Sequence, residues 1–352
     1  MIIYFVETES EDREFFFDAL PCHELHFVDS LSEVGEDAEI VSVFFNSRIG
    51  VHFLSAHPNL RLIASRTTAF DHLDTAACHE YGVKIAVVPS FADPIVAEHA
   101  FALILALSRR LREAMVVGKG PQSTHRSVRG MQLKGKTFGV VGAGRVGIHV
   151  LRLAKAFGMN AVAYDLRPLP ILASALEFEY LPLEELLARS DVVSLHIPLT
   201  LSTRHLFNRD TFAMCKPGMI LVNTARGALI DTDAMLEALD SGILRGVGLD
   251  VLEEERVLQQ ETMDIIGEQI VSRLQSGAAP DEVRGATPGR VDELQRLMRN
   301  TALISRLNVV FTPHVAFNSV EAVASMHAAT ADNIRAFAAG EPVNLVETGE
   351  VP

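Results

Sequence analysis

The sequence predicts an α/β protein built on two parallel sheets. Short apolar runs alternate with helical patterns almost throughout, they fall into two sets, and the second set opens on a glycine-rich turn between a strand and a helix. In the first set, Ile2–Val6, Leu25–Val28, Ile40–Phe44, Leu62–Ser65 and Val83–Val87 read as strands. In the second, Thr137–Val141, Ala161–Asp165, Val192–His196, Met219–Asn223, Gly246–Val251 and Val309–Thr312 do. Such alternation implies parallel strands joined by crossover helices. Two sets of strands imply two doubly wound domains with a cleft between them. Ala97–Arg112, a long apolar helical pattern, lies between the sets, and the polar stretch Gly118–Gly135 reads as a surface connection. A final amphipathic helix, Ser319–Ala339, is expected to return to the first domain.

The glycine turn carries the most chemistry. Gly142, Gly144 and Gly147 form G-x-G-x-x-G after the apolar run Phe138–Val141. A helical pattern follows, with Val146, Val150, Leu153 and Phe157 expected on its inner face, and the next strand closes on Asp165. Gly142 permits a tight turn, Gly144 lets backbone approach a pyrophosphate, and Gly147 lets the helix pack on the strand. The helix N-terminus offers N–H groups and a positive dipole end to phosphates. Asp165 can accept hydrogen bonds from a ribose 2′-hydroxyl and would repel a 2′-phosphate. The unit therefore reads as a Rossmann-like dinucleotide site for NAD rather than NADP.

Composition bounds the alternatives. The chain has 352 residues, 48% hydrophobic and 22% charged, which suits two globular domains with a large core. Its net charge of −14 argues against nucleic acid or an anionic membrane as partner. Cys22, Cys78 and Cys215 suggest neither a metal site nor a disulfide framework, and the reading is a reduced, cytoplasmic protein. No signal peptide and no membrane span are evident. Residues 256–307 form an unusually long connection around a Gly/Ala/Pro-rich link, which reads equally as a tolerated insertion or as a functional element.

Three strand ends in the second half bear reactive groups. Asn223-Thr224-Ala225-Arg226-Gly227, the acidic run from Asp250 to Glu255, and Pro313-His314 each follow an apolar run. In open parallel sheets ligands bind beyond the carboxyl ends of strands, so these groups are expected on the rim that carries the glycine loop. An Arg, a carboxylate and a His beside a nicotinamide suffice to oxidise a 2-hydroxy acid. The guanidinium holds the substrate carboxylate, the imidazole takes the hydroxyl proton, and the carboxylate fixes the imidazole tautomer.

The chain resembles the D-isomer-specific 2-hydroxyacid dehydrogenase family, most of all its D-lactate dehydrogenase branch. The resemblance is carried by VAEHAFALILALSRRL at 96–111, GVVGAGRVG at 139–147, HIPLTLSTRHLFN at 196–208, LVNTARG at 221–227, GLDVLEEE at 248–255 and TPHVAFNS at 312–319. It implies Arg226 as the substrate-orienting arginine, Glu255 as the carboxylate partner and His314 as the acid/base. It implies Arg145 and Val146 at the pyrophosphate, His196 and Pro198 on the adenosine side, Thr224 and Ala225 under the nicotinamide ribose, and Asp250 at the nicotinamide carboxamide. In the first domain it implies Thr68 and Ala69 as backbone donors to the substrate, with Phe91 and Phe317 as pocket-wall aromatics and Phe44 as a third. The sequence departs from the family at Ala69, where many relatives have Gly, and at Phe44 and Phe91, where lactate-using relatives often have Tyr. Fewer hydroxyls favour a more apolar substrate side chain. Glu98, His99, Glu253 and His205 are read as structural or solvated.

The expectation is thus a substrate domain at 1–97 and 317–352, and an NAD domain at 98–316 with an insertion at about 256–307. It would reduce a small 2-oxo acid to the D-2-hydroxy acid with NADH, and run the reverse, as a homodimer without a metal. Two alternatives stand beside it: an NADH-sensing, corepressor-like scaffold, and a related activity such as glyoxylate or hydroxypyruvate reduction.

Overall fold

Two sheets, all of whose strands run parallel, organise the chain. The computed structural model describes residues 1–117, 128–253 and 298–346. It divides into Met1–Ile95 with Phe317–Pro352 as one unit and Val96–Ala316 as the other.

The first unit contains β1 (Ile2–Val6), α1 (Ser10–Ala19), β2 (Glu24–Val28), β3 (Ile40–Val43), α2 (Val51–Ala56), β4 (Leu62–Ser65), α3 (Thr75–Glu80) and β5 (Lys84–Ala86). The strand order is β2-β1-β3-β4-β5. β3 and β4 are buried along their whole lengths, as strands covered on both faces must be. This explains their unbroken apolar runs. One face packs Ile3, Phe5, Ile40, Leu62 and Ala64 against Phe16 and against Ala331, Ile334 and Phe337 of the last helix. The edge of β5 is closed by a bridge between Ala86 and Leu345, with Val87 N–H bonded to Asn344 O at 3.0 Å. A single bridge leaves no periodic pattern to read in the residues.

The long helix expected at Ala97–Arg112 is instead two. α4 (Asp93–Ser108) ends before Arg109, and α5 (Leu111–Val117) follows. Arg110 adopts a left-handed conformation (φ +52°) that breaks the ladder between them. α4 buries Ala97, Ala100, Phe101, Leu103, Ile104 and Leu107, and Phe101 stacks on Phe138 at 5.7 Å.

The second sheet is built from β6 (Thr137–Val141), β7 (Asn160–Tyr164), β8 (Glu179–Tyr180), β9 (Val192–Leu195), β10 (Met219–Asn223), β11 (Leu244–Leu249) and β12 (Val309–Phe311). Their order is β12-β11-β10-β9-β6-β7-β8. Between them run α6 (Arg145–Ala156), α7 (Pro170–Leu176), α8 (Leu183–Arg189), α9 (Arg209–Ala213) and α10 (Thr232–Asp240). β8 is an edge strand of two residues, too short to announce itself as an apolar run. α6 buries Gly147, Val150, Leu151 and Ala154, whereas Phe157 is 40% exposed. Val146 and Leu153 pack partly buried against the same cluster, so the expected inner face holds, with Phe157 at its edge stacking on Phe101 at 5.2 Å. The last helix, α11 (Val320–Ala338), starts where Ser319 caps it by accepting from Ala322 N–H.

Residues 298–305 are helical, while the rest of the 256–307 connection lies largely outside the described residues. Among the described residues, no helix is long and apolar enough to cross a membrane.

Candidate active site

The glycine loop is shaped by steric necessity. Gly142 has φ +98°, and a Cβ there would sit 2.5 Å from His196 O. A Cβ on Gly147 would sit 2.0 Å from Gly142 O, so no larger residue lets α6 come this close to the turn. Gly144 is different: a Cβ there would meet nothing within 4 Å. It is the N-cap of α6 and no side chain caps it. The space that a Gly144 side chain would fill is therefore open at the helix N-terminus, where an anion could approach. Arg145 is exposed beside it and Val146 is half-buried.

Asp165 follows β7 and ties the loop down. Its Oδ2 accepts from Ala143 N–H at 2.8 Å and its Oδ1 from Arg167 N–H at 2.8 Å. After β9, His196 is half-buried and its Nε2 shares a hydrogen bond with Ser194 Oγ at 2.8 Å. Burial pushes its imidazole down to about 3, so it is neutral at physiological pH. Pro198 is exposed two residues on. These features fit a dinucleotide: a cradle open only at Gly144, an uncapped helix, and an acid at the end of the second strand.

The neighbouring strand ends are stitched together. Asn223, fully buried at the end of β10, donates from Nδ2 to Arg226 O at 2.8 Å and accepts from Ala225 N–H at 3.0 Å. It thereby folds Thr224-Ala225-Arg226 into a fixed loop. Thr224 Oγ1 is buried without a hydrogen-bond partner, a polar atom suited to a ligand. Arg226 is half-buried, and its Nη1 donates to Ala225 O at 2.7 Å. Asn223 O accepts from Asp250 N–H at 3.0 Å, and Asp250 O accepts from His314 N–H at 2.7 Å. A continuous chain of bonds thus runs from the Arg226 loop to His314 across the ends of β10, β11 and β12.

Asp250 is fully buried and its carboxylate faces this turn. It accepts from Thr312 Oγ1 at 2.5 Å, Val315 N–H at 3.0 Å and Ala316 N–H at 2.9 Å. The turn holds His314 in a left-handed conformation, φ +54°, with its side chain half-buried. Sequence reasoning placed Asp250 near the cofactor but missed this hold on the His314 turn. Glu255 lies outside the described residues. Glu253, expected to be solvated, is half-buried and pairs at 2.8 Å with both Arg204 and His205.

In the first unit, the segment after β4 is locked by its own side chains. Thr67 Oγ1 bonds Ser65 Oγ at 2.7 Å and Ala69 O at 2.6 Å, and Thr68 Oγ1 donates to Val88 O at 2.7 Å. Arg66, overlooked in the sequence, is fully buried; its Nη2 donates to Val6 O and Glu7 O at 2.6 and 2.7 Å. Its guanidinium lies 5.7 Å from the Phe44 ring centroid. Phe317 is the hub of a half-buried aromatic group, at 5.3 Å from Phe44, 6.4 Å from Phe45 and 6.3 Å from Phe91.

The cysteines offer no nucleophile in the core. Burial pushes the Cys78 thiol up to about 11 and the Cys215 thiol up to about 12. Among the described residues, no group of three His, Cys, Asp or Glu side chains gathers as metal ligands would.

Comparison with known proteins accounts for this arrangement. Residues 101–316 match the model of the D-isomer specific 2-hydroxyacid dehydrogenase NAD binding domain. The chain is 34% identical over 330 residues to a D-lactate dehydrogenase of Escherichia coli, covering 90% of each chain. It is 31% identical over 324 residues to a glyoxylate reductase of Thermococcus litoralis, covering 90% of this chain and 86% of the relative. Among solved structures, D-lactate dehydrogenase from Aquifex aeolicus, complexed with NAD and lactic acid, superposes with a TM-score of 0.81 at 32% identity over 96% of both chains. The chain belongs to the D-isomer specific 2-hydroxyacid dehydrogenase family, a family of NAD-dependent enzymes, and its cofactor is NAD.

Proposed function

We propose that the protein reduces a small 2-oxo acid with an apolar side chain to the D-2-hydroxy acid, and catalyses the reverse. The observation that carries this reading is the bonded path from the Arg226 loop through Asp250 to His314, which ties a guanidinium loop after β10 and an imidazole after β12 to the end of β11 between them. Arg226 holds the carboxylate of the oxo acid and aligns its C2 carbonyl. Protonated His314 donates a proton to the C2 oxygen. The bound NADH supplies the hydride that C2 receives. Glu255 is proposed as the carboxylate partner of His314. Thr68 and Ala69 are proposed as backbone donors to the substrate.

Gly142, Gly144, Arg145, Val146 and Gly147 are assigned to the pyrophosphate, Asp165 to the adenosine ribose, and His196 and Pro198 to the adenosine side. Thr224 and Ala225 are assigned to the nicotinamide ribose. Asp250 is assigned to the nicotinamide carboxamide. Phe91 and Phe317, with Phe44, supply an apolar wall without the hydroxyls that would favour a polar side chain.

The relatives are a D-lactate dehydrogenase and a glyoxylate reductase, so the smallest oxo acids belong in the test. NADH oxidation, followed by absorbance, is measured against glyoxylate, pyruvate, and branched and aromatic 2-oxo acids. Turnover rising with side-chain size supports the apolar pocket. Preference for glyoxylate overturns it, and silence across the panel with NADH bound overturns the reductase reading itself.

A further inference from the structure

α4 reaches the end of β11 by a repeating register. A Cβ on Gly246 would lie 3.0 Å from Leu107 Cδ2, and a Cβ on Gly248 would lie 2.9 Å from Leu103 Cβ. The two glycines thus clear the strand for the helix. Four helical residues rise about 6 Å and two strand residues about 6.6 Å, so the steps nearly match. The next step pairs His99 with Asp250. There the contact changes from apolar to polar: His99 Nε2 lies 2.9 Å from Thr312 Oγ1 and 3.4 Å from Asp250 Oδ1.

The proton order follows from the donors. Thr312 Oγ1 gives its only proton to Asp250 Oδ1 at 2.5 Å. The Thr312 oxygen can then only accept from His99, which fixes the proton of His99 on Nε2. Thr312, Val315 and Ala316, the residues bonded to Asp250, flank His314 on both sides. The left-handed backbone of His314 sits between these residues, with its N–H bonded to Asp250 O at 2.7 Å.

We infer that His99 is a positioning residue for the reaction: through Thr312 and Asp250 it sets the angle at which His314 presents its imidazole. The inference rests on the reading of His314 as the acid/base. His99 and Thr312 carry no substrate or cofactor assignment, and the inference gives the polar side chain of α4 a task that its packing does not require.

The test compares Thr312→Val and His99→Leu with Thr312→Ser and His99→Gln. Val and Leu remove the hydroxyl and the N–H, whereas Ser and Gln return them. The two apolar variants are expected to lower kcat by about 10- to 100-fold, the loss that a small misplacement of a catalytic group brings. NADH binding, read by fluorescence titration, should stay within about twofold of the parent, and Ser and Gln should recover most of kcat. Unchanged kcat in either His99→Leu or Thr312→Val overturns the inference. So does a loss of kcat matched by an equal loss of NADH affinity, or a failure of both Ser and Gln to restore it. His314→Ala is the control on the underlying reading. Its full activity would overturn that reading and the inference together. Its collapse beside an active Thr312→Val would overturn the inference alone.

Discussion

Asp165 holds two backbone N–H groups, one on each carboxylate oxygen, and each oxygen keeps a second lone pair for a ribose hydroxyl. Asp165→Ala therefore removes the tie on the glycine loop together with the ribose acceptor proposed above. The KM for NADH is expected to rise about 10-fold or more, the worth of a charge-assisted hydrogen bond, and the preference over NADPH should fall. Steady-state kinetics with both cofactors decides it, and an unchanged preference would show that the acid does not read the ribose. His196 gives a pH signature. Its folded-state value of about 3 lies below the ordinary 6.5. Below pH 6.5 the unfolded chain binds a proton that the folded chain refuses. The stability it contributes is thus present above 6.5 and drains as pH falls toward 3, with a slope approaching about 1.4 kcal/mol per pH unit. Unfolding titrations of the apoprotein at pH 7, 6 and 5 should show the parent losing this increment and His196→Gln keeping it. The glycines and Asp165 were legible in the sequence because their partners are near in the chain. The task of His99 was not, since Thr312 lies 213 positions away.

At the scale of elements, strand centres were legible and strand ends only in part: Ile2–Val6, Leu62–Ser65, Thr137–Val141 and Met219–Asn223 stand as expected, and others shift. Apolar runs mark where a strand is buried, but its last residue is set by where the neighbouring ladder stops. Hence Ile40–Phe44 shortens to Ile40–Val43, while Gly246–Val251 moves back to Leu244–Leu249. The break between α4 and α5 escaped notice because Arg110 is no helix breaker by type; only its left-handed backbone ends the run. The fit of α6 against its turn is the most sensitive of these joins. Gly147→Ala places a methyl 2.0 Å from Gly142 O, where backbone cannot yield cheaply. A loss of about 1–3 kcal/mol is expected, as for other overpacked sites, with weaker NADH binding as the loop shifts. Thermal melts with and without NADH measure both. A variant as stable as the parent, with parental NADH affinity, would refute this account.

The whole molecule departs from a simple series of domains, because its first unit is assembled from both ends of the described chain. Residues 1–95 supply the five-stranded sheet, and α11 supplies Ala331, Ile334 and Phe337 to one of its faces. Burial of Ile334 and Phe337 contributes about 1.5–3 kcal/mol each, a large part of a domain's net stability. A chain ended at Ala316 is therefore expected to keep hydrogen-exchange protection in β6 to β12 and to lose it in β1 to β5. Protection retained across β1 to β5 would show that α11 is dispensable.

This division of the first unit also sets an order of events at the ribosome. Its strands emerge first, but the helix that covers them is translated only after the second unit, a delay of about 10–40 s at ordinary elongation rates. For that interval Phe5, Ile40 and Leu62 lack part of their apolar cover, while the second unit already has all its strands. The later-made half of the enzyme is then the first to mature, and the nascent sheet depends on what the cell provides to shield it.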